Sequence, residues 1–317
     1  MLQVQFIREN KQTVLDGLAK RNFANAETII NQVLTADEKR RKIQVSLDDS
    51  LAESNRLSKE IGGFFKSGEV QKATLLKEKT SQLKEKSKEL NESLNTFSDQ
   101  LQSLLYQIPN IPHVSVKAGN SDQDNEEIYN EGVIPVLADN AIPHWELAKK
   151  YDIIDFELGT KIAGAGFPVY KGKGARLQRA LINYFLDKNT KAGYKEIQVP
   201  HLVNEASGIG TGQLPDKEGQ MYHVGEDDLY LIPTAEVPIT NIFRGNLIPE
   251  SDFPITYTGY TPCFRREAGS YGAHVRGLNR LHQFDKVEIV RVEHPENSYQ
   301  ALNCLLYTSD AADDSDC

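Results

Sequence analysis

Thr261-Pro-Cys-Phe-Arg-Arg-Glu-Ala-Gly-Ser-Tyr-Gly272, followed by Arg276-Gly-Leu-Asn-Arg-Leu-His-Gln-Phe-Asp-Lys-Val-Glu288, reads as a strand, a long glycine-rich loop and a second strand. Arg265 and Glu267 stand two apart on the first limb. Alternate residues of a strand share a face, so both are expected to point the same way. Arg265 can hold a phosphate through a planar fork of donors, and Glu267 can accept from an amino group. The return limb offers Phe284 as a stacking surface and, four residues on along the same face, Glu288 as a second carboxylate. One antiparallel hairpin thus supplies the parts of an ATP site built on a sheet. Taken alone, Arg265 and Glu267 also read as a cross-sheet ion pair, and Lys286 and Glu288 are unremarkable. His274 and His282 have no triad-like neighbours and read as surface or loop histidines.

Upstream, residues 173 to 192 carry Leu177, Leu181, Ile182 and Phe185 on one side, the pattern of an amphipathic helix. Gly193 can end that helix in a positive-φ conformation, and Gly193-Tyr-Lys-Glu-Ile-Gln-Val-Pro200 then reads as a strand closed by proline. In Thr234-Ala-Glu-Val-Pro238, Thr234 and Glu236 alternate with Ala235 and are expected to share a face at a strand end. A hydroxyl beside a carboxylate suits a small polar amino acid, one partner for its hydroxyl and one for its ammonium. In isolation the same residues are an ordinary loop with a surface glutamate.

The first hundred residues read differently. Short helical patterns punctuated by Asn10, Asn22 and Asn25 give way at Thr35-Ala-Asp-Glu38 to what reads as a capping box. Ile43, Leu47, Leu51, Leu57 and Ile61 form an apolar stripe, Gly62-Gly63 and Gly68 supply a turn, and Leu76, Leu83, Leu90, Leu94, Phe97, Leu101 and Leu104 mark a heptad seam on the return. The spacing predicts a two-helix antiparallel coiled-coil arm. On pattern alone it is equally a solvated helix pair or an RNA-binding arm. Lys59, Lys66, Lys72, Lys77 and Lys79 are the candidate phosphate contacts; Lys39-Arg40-Arg41-Lys42 at the base reads as a second cluster or a solvated face. Pro109 and Pro112 end the return helix, and a polar linker leads to Pro143-His-Trp-Glu-Leu147.

The chain of 317 residues has a formal charge of −9, which argues against a uniformly basic nucleic-acid binder and against a DNA partner. Cys263, Cys304 and Cys317 show neither disulfide nor metal spacing, so a reducing cytoplasm is expected. No run of 18 apolar residues exists, and no membrane partner or signal peptide is expected.

Phe264-Arg-Arg-Glu267 with its loop and aromatic strand resembles motif 2 of the class II aminoacyl-tRNA synthetases; residues 193–200 resemble motif 1, and Thr234-Ala-Glu236 resembles a serine-binding loop. With the charged helical hairpin ahead of them, the set resembles the bacterial-type seryl-tRNA synthetase family from Met1 to about Asn303. The resemblance implies an α+β chain: an antiparallel two-helix coiled-coil arm domain for tRNA (1–108), a linker (109–142) and a class II antiparallel-sheet catalytic core (143–303). It implies a homodimer formed through the motif 1 region. It also implies a serine–tRNA ligase that uses ATP and Mg²⁺ and acts on tRNA(Ser), with tRNA(Sec) left open. In that reading Arg265 binds the α-phosphate and is the catalytic residue. Arg266, Glu267, Leu281 and Phe284 complete the ATP site, and Thr234, Ala235, Glu236 and Glu288 form the serine site. Residues 268–279 form a loop that helps place the tRNA 3′ end.

Family members continue past Asn303 with the Mg²⁺-binding carboxylate, further serine contacts and motif 3, so no metal ligand is assigned within these residues. Cys304 to Cys317 is acidic, small-residue-rich and unlike the helix expected there. It resembles translated sequencing adapter, so residues 304–317 are expected to be a non-native tail, with a natural frameshifted or truncated paralogue as the alternative. The expectation is a poorly soluble chain without aminoacylation activity as written; detectable serylation by residues 1–317 overturns it. The competing function is a non-catalytic synthetase-like protein that binds RNA or protein.

Overall fold

The computed structural model describes residues 2–130, 132–216, 219–267 and 276–308, with the side chains of 306–308 left aside. The chain forms two compact units, residues 1–134 and 135–317.

The first unit is helical: α1 (Val4–Glu9), α2 (Lys11–Lys20), α3 (Ala26–Lys66) and α4 (Val70–Leu105). The asparagines punctuate as expected. Asn10 separates α1 from α2, while Asn22 and Asn25 adopt positive φ, which asparagine tolerates better than most residues. Ile7, Val14, Leu18, Ile30 and Val33 close a core against Leu101, Leu105 and Ile108. The start of the linker is tied to this core: Lys20 Nζ donates to the carbonyls of Val114 and Val116, and Arg21 Nη1 to that of Asn110.

Three expectations for the arm are corrected. Thr35-Ala-Asp-Glu38 does not start a helix, because α3 has already begun at Ala26 and Thr35 Oγ1 bonds back to the Asn31 carbonyl at 2.8 Å. Gly62 and Gly63 stay inside α3. The reversal comes at Ser67-Gly68-Glu69: Glu69 N–H donates to Phe64 O, Gly68 N–H donates to Phe65 O, and Gly68 takes φ +79°. That is the bond pattern of a glycine-terminated helix end. Leu51, placed in the seam by its apolar character, is 45% exposed. Stepping three and four from Leu47 lands on Ser50, Ser54 and Leu57, and these are buried. On α4 the leucines of the expected heptad are only half the seam. The other half is Ala73, Thr80 and Ser87, all buried. Small side chains let the two backbones approach, and Ser50 Oγ and Ser87 Oγ satisfy each other at 2.9 Å.

The basic cluster at the arm's base is not merely a solvated face. Asp37, only 2% exposed, receives Arg8 at 3.0 Å, Arg40 at 3.2 Å and Arg41 at 2.9 Å. Asp37→Ala is expected to destabilise this unit by about 2 kcal/mol, below the cost of breaking a fully buried pair because the arginines are partly solvated. Urea unfolding followed by helical circular dichroism checks it.

The second unit contains α5 (His144–Lys150), β1 (Ile154–Asp155), α6 (Phe156–Ile162), β2 (Val169–Tyr170), α7 (Lys173–Lys191), β3 (Lys195–Glu196), β4 (Leu202–Asn204), α8 (Glu205–Gly210), β5 (His223–Val224), β6 (Leu229–Leu231), α9 (Glu236–Asn241), β7 (Ile255–Phe264), β8 (Gln283–Val292) and α10 (Ser298–Thr308). The long β7–β8 hairpin is antiparallel, with Cys263 opposite Phe284 and Gly259 opposite Glu288. β3 adds to β7 in parallel, giving the order β3-β7-β8. A second antiparallel sheet runs β4-β6-β5, and β1 pairs with β2. One face of the hairpin sheet carries Tyr257 and Val290 onto Val199, Ala235 and Ile239. The other meets α7, where Asn189 Nδ2 donates to Thr258 Oγ1 at 2.9 Å and Gln178 Nε2 donates to Asp285. α10 carries the chain through Cys304 as helix as far as Thr308, where the sequence suggested a tail unlike one; residues 309–317 lie outside the described residues.

Candidate active site

The hairpin brings Arg265 to Phe284 and Thr234 to Glu288, but the local geometry at Arg265 and Glu267 differs from the one expected. β7 ends at Phe264, so Arg265 and Glu267 do not continue it as alternating strand residues. Arg265 keeps one ladder bond, from its N–H to His282 O at 2.9 Å, while Arg266 N–H turns to Gln220 O. Glu267 then takes φ +48°, an uncommon conformation for a residue with a side chain, and the chain leaves the strand direction. The two side chains therefore part company. The Arg265 guanidinium lies 5.1 Å over the Phe284 ring, and its Nε donates to Pro233 O at 3.3 Å. Glu267 Oε2 pairs with Arg280 Nη1 at 2.6 Å. The cross-sheet Arg265–Glu267 pair, the plain reading of those residues, does not form. Arg266 has an exposed side chain. The loop expected over 268–279 lies outside the described residues from 268 to 275, His274 included.

A second cluster stands further along the same face. Thr234 Oγ1 donates to Glu288 Oε2 at 2.6 Å, and Lys286 Nζ reaches both that oxygen at 2.5 Å and Thr234 Oγ1 at 3.1 Å. Residues 286 and 288 alternate on β8, so both project to this side. Thr234 is buried and Glu288 partly so. Their pairing is thus made in a weakly hydrated setting, where charge-assisted bonds are stronger. The expectation that Thr234 and Glu236 share a strand face is corrected. Glu236 is the first residue of α9, its side chain is exposed, and its N–H donates to Thr234 Oγ1 at 3.2 Å. Ala235 is fully buried in the Val199–Ile239 core; only its backbone can face a ligand. Phe264 N–H bonds to Ile232 O, which fastens the 233–236 segment beside the hairpin and sets the distance between the two clusters.

Leu281 is buried and, with Phe284, lines a groove of about 750 Å³ between α7 and β8. A second cavity, of about 830 Å³, opens beside Glu267 and Arg280 and is bounded by Trp145, Phe156, Phe167 and His282. His282 is a loop histidine, in the bend just before β8, but a partly buried one with defined partners. Its Nδ1 sits 2.7 Å from the Tyr222 hydroxyl, and its ring stacks on Phe167 with centroids 5.3 Å apart. Beneath the site, burial raises the Cys263 thiol above its ordinary range. Burial and then the bond to Asp285, at 2.6 Å, raise the Tyr260 phenol. Tyr260 and Asp285 lie on the sheet face turned to α7, away from Phe284, Lys286 and Glu288.

Sequence reasoning missed Lys286 and Arg280, the cationic partners of the two carboxylates. Lys286 could have been found, since it shares the 284-286-288 face. Arg280 lies across a loop, and no spacing rule reaches it. Among the described residues no three His, Cys, Asp or Glu side chains gather to hold a metal ion. The donor set for Mg²⁺ is therefore not found among them. Among the same residues no helix is long and apolar enough to cross a membrane.

Comparison with known proteins places these features in a family. A model of the seryl-tRNA synthetase N-terminal domain matches residues 1–112, and a model of the class II tRNA synthetase core domain (G, H, P, S and T) matches residues 221–311. The chain is 45% identical to a serine–tRNA ligase of Salinibacter ruber over 315 residues, covering 99% of this chain and 73% of that protein. It is 46% identical to one from a Hydrogenobaculum species, covering 96% and 72%. Among solved structures it resembles seryl-tRNA synthetase from Pyrococcus horikoshii complexed with ATP, with a TM-score of 0.79 and 28% identity, covering 96% of this chain and 72% of that one. It also resembles the cytoplasmic serine–tRNA ligase of Naegleria fowleri in complex with AMP, with a TM-score of 0.76 and 26% identity, covering 98% and 74%.

Proposed function

Because this chain belongs to the seryl-tRNA synthetase family, we propose that it activates serine with ATP and transfers the acyl group to tRNA(Ser). The observation that carries this reading is the Thr234–Lys286–Glu288 cluster, set on the same hairpin face as the Arg265–Phe284 stack. A hydroxyl and a carboxylate suit serine, and a cation over an aromatic shelf suits a nucleotide phosphate beside its base.

In the first step a serine carboxylate oxygen attacks the α-phosphorus of ATP, the bond to the β-phosphate breaks, and pyrophosphate leaves. Arg265 offsets charge developing on the α-phosphate. Glu267 accepts from the adenine amino group and gives up Arg280 as it does so, while Phe284 receives the base. Arg266, beside them and solvent-exposed, completes the contacts to the phosphates. Glu288 and Glu236 take the serine ammonium, and the backbone at Ala235 its carboxylate. In the second step a hydroxyl of the terminal ribose of tRNA attacks the acyl carbon, and AMP leaves. No covalent intermediate with the protein is needed. Positioning and charge stabilisation supply the rate.

Lys59, Lys66, Lys72, Lys77 and Lys79 are the arm's candidates for tRNA phosphates. Lys72 pairs with Glu69, and Lys79 meets Glu53 at 3.3 Å; these exposed pairs are weak and exchangeable for phosphate. A homodimer through α7 is supported by the openness of its apolar side, where Leu177 is 55% exposed and Leu181, Tyr184 and Phe185 are also exposed. The cytoplasm is the compartment such a function requires.

The test is ATP–pyrophosphate exchange with the purified protein. Exchange that depends on serine and is not supported by alanine is expected, because a site that pairs a hydroxyl rejects the analogue without one. Binding of tRNA without any serine-dependent exchange would move the non-catalytic reading to first place.

A further inference from the structure

The return limb of the hairpin loop is anchored on a distant element. Leu278 N–H donates to His144 Nε2 at 2.8 Å. The Arg276 guanidinium lies 5.6 Å over the ring of Trp145, which itself stands edge-on to His144 with centroids 5.0 Å apart. Gly277 sits between these contacts with φ +74°, and a Cβ there would collide with His144 Nε2. Glycine is therefore required twice over, by its conformation and by its closeness to the imidazole. Two residues beyond Leu278, Arg280 closes on Glu267.

We infer that His144 is a positioning residue of the nucleotide site: through Leu278 it holds residues 276–280 on α5, so that Arg280 stands ready at Glu267. This rests on the ATP reading given above. An arginine already held at the mouth of the site meets an incoming triphosphate without first being ordered. If the limb were free, its ordering would oppose binding. His144 acts by accepting a hydrogen bond at Nε2, so what matters is an acceptor at that distance. A glutamine carbonyl can replace it; alanine cannot.

Trp145 is the chain's single tryptophan, so its emission reports the docking of Arg276 directly. The experiment measures ATP affinity by titration calorimetry and Trp145 emission for the wild-type chain, His144→Ala, His144→Gln and Gly277→Ala. His144→Ala and Gly277→Ala are each expected to weaken ATP binding about tenfold, the scale of one lost hydrogen bond, and to shift Trp145 emission. His144→Gln is expected to stay within about threefold of wild type with emission unchanged. ATP affinity unaltered in His144→Ala overturns the inference, as does a glutamine variant as weak as the alanine one, which would make the imidazole a spacer only. A wild-type chain that does not bind ATP fails the nucleotide reading itself, and its unliganded emission would still show whether the limb docks on Trp145.

Discussion

Arg265→Ala is expected to lower serine-dependent ATP–pyrophosphate exchange about 10³-fold, chiefly in kcat, the loss seen when a preorganised donor is removed from developing transition-state charge. The guanidinium is held on both flanks, by the Pro233 carbonyl at 3.3 Å and by the Phe284 ring at 5.1 Å. Its remaining N–H groups are thereby aimed, and aim costs nothing further during the reaction. Arg265→Lys keeps the charge but loses the planar fork and the bond from Nε, so it is expected to recover no more than about tenfold of the loss. Phe284→Leu separates the two supports: the nucleotide KM should rise while kcat falls less. Rapid-quench or exchange kinetics at saturating ATP read the difference. Near-wild-type exchange by Arg265→Ala would remove this residue from the chemistry and leave it a packing role over Phe284.

Much of this arrangement was legible in the sequence because it depends on period. The β8 face 284-286-288 follows from the two-residue repeat of a strand, and the α4 leucines follow from the heptad. The errors arose where period stops or where polarity conceals burial. Glu267 leaves the strand through a positive-φ residue, which no alternation rule anticipates. Glu236 opens a helix where a strand end was expected, because a Thr-Ala-Glu triplet fits either. Leu51 and Ser50 exchanged places in the arm since an apolar stripe was sought by residue type; the helices are close enough that serine suits the seam better. Asp37 gathers Arg8 from another helix together with Arg40 and Arg41, so a run of four basic residues that read as a second cluster or a solvated face is partly the lid of a buried carboxylate. Arg280 and His144 act across a loop and across the unit, and contacts of that kind are fixed by tertiary packing alone.

Glu288→Gln is expected to raise the KM for serine about 100-fold while the KM for ATP stays within about threefold, the upper part of the range for a hydrogen bond to a charged group. Glu288 Oε2 already holds Thr234 Oγ1 at 2.6 Å and Lys286 Nζ at 2.5 Å, so the serine ammonium meets a carboxylate fixed in place rather than one that must be recruited. Glutamine keeps an acceptor for Thr234 but removes the charge, and its amide N–H groups oppose both Lys286 and the incoming ammonium. Thr234→Val tests the other half of the cluster. It preserves shape, removes the donor to Glu288, and should raise the serine KM about tenfold, with discrimination against alanine reduced. The two changes share one partner, so their effects should fall short of additive in the double variant. Were Glu288→Gln to alter the KM for ATP in place of that for serine, the two clusters would have been assigned to the wrong substrates. An additive double variant would mean that Thr234 and Glu288 act separately, and the hydroxyl–carboxylate pair would no longer explain the choice of serine.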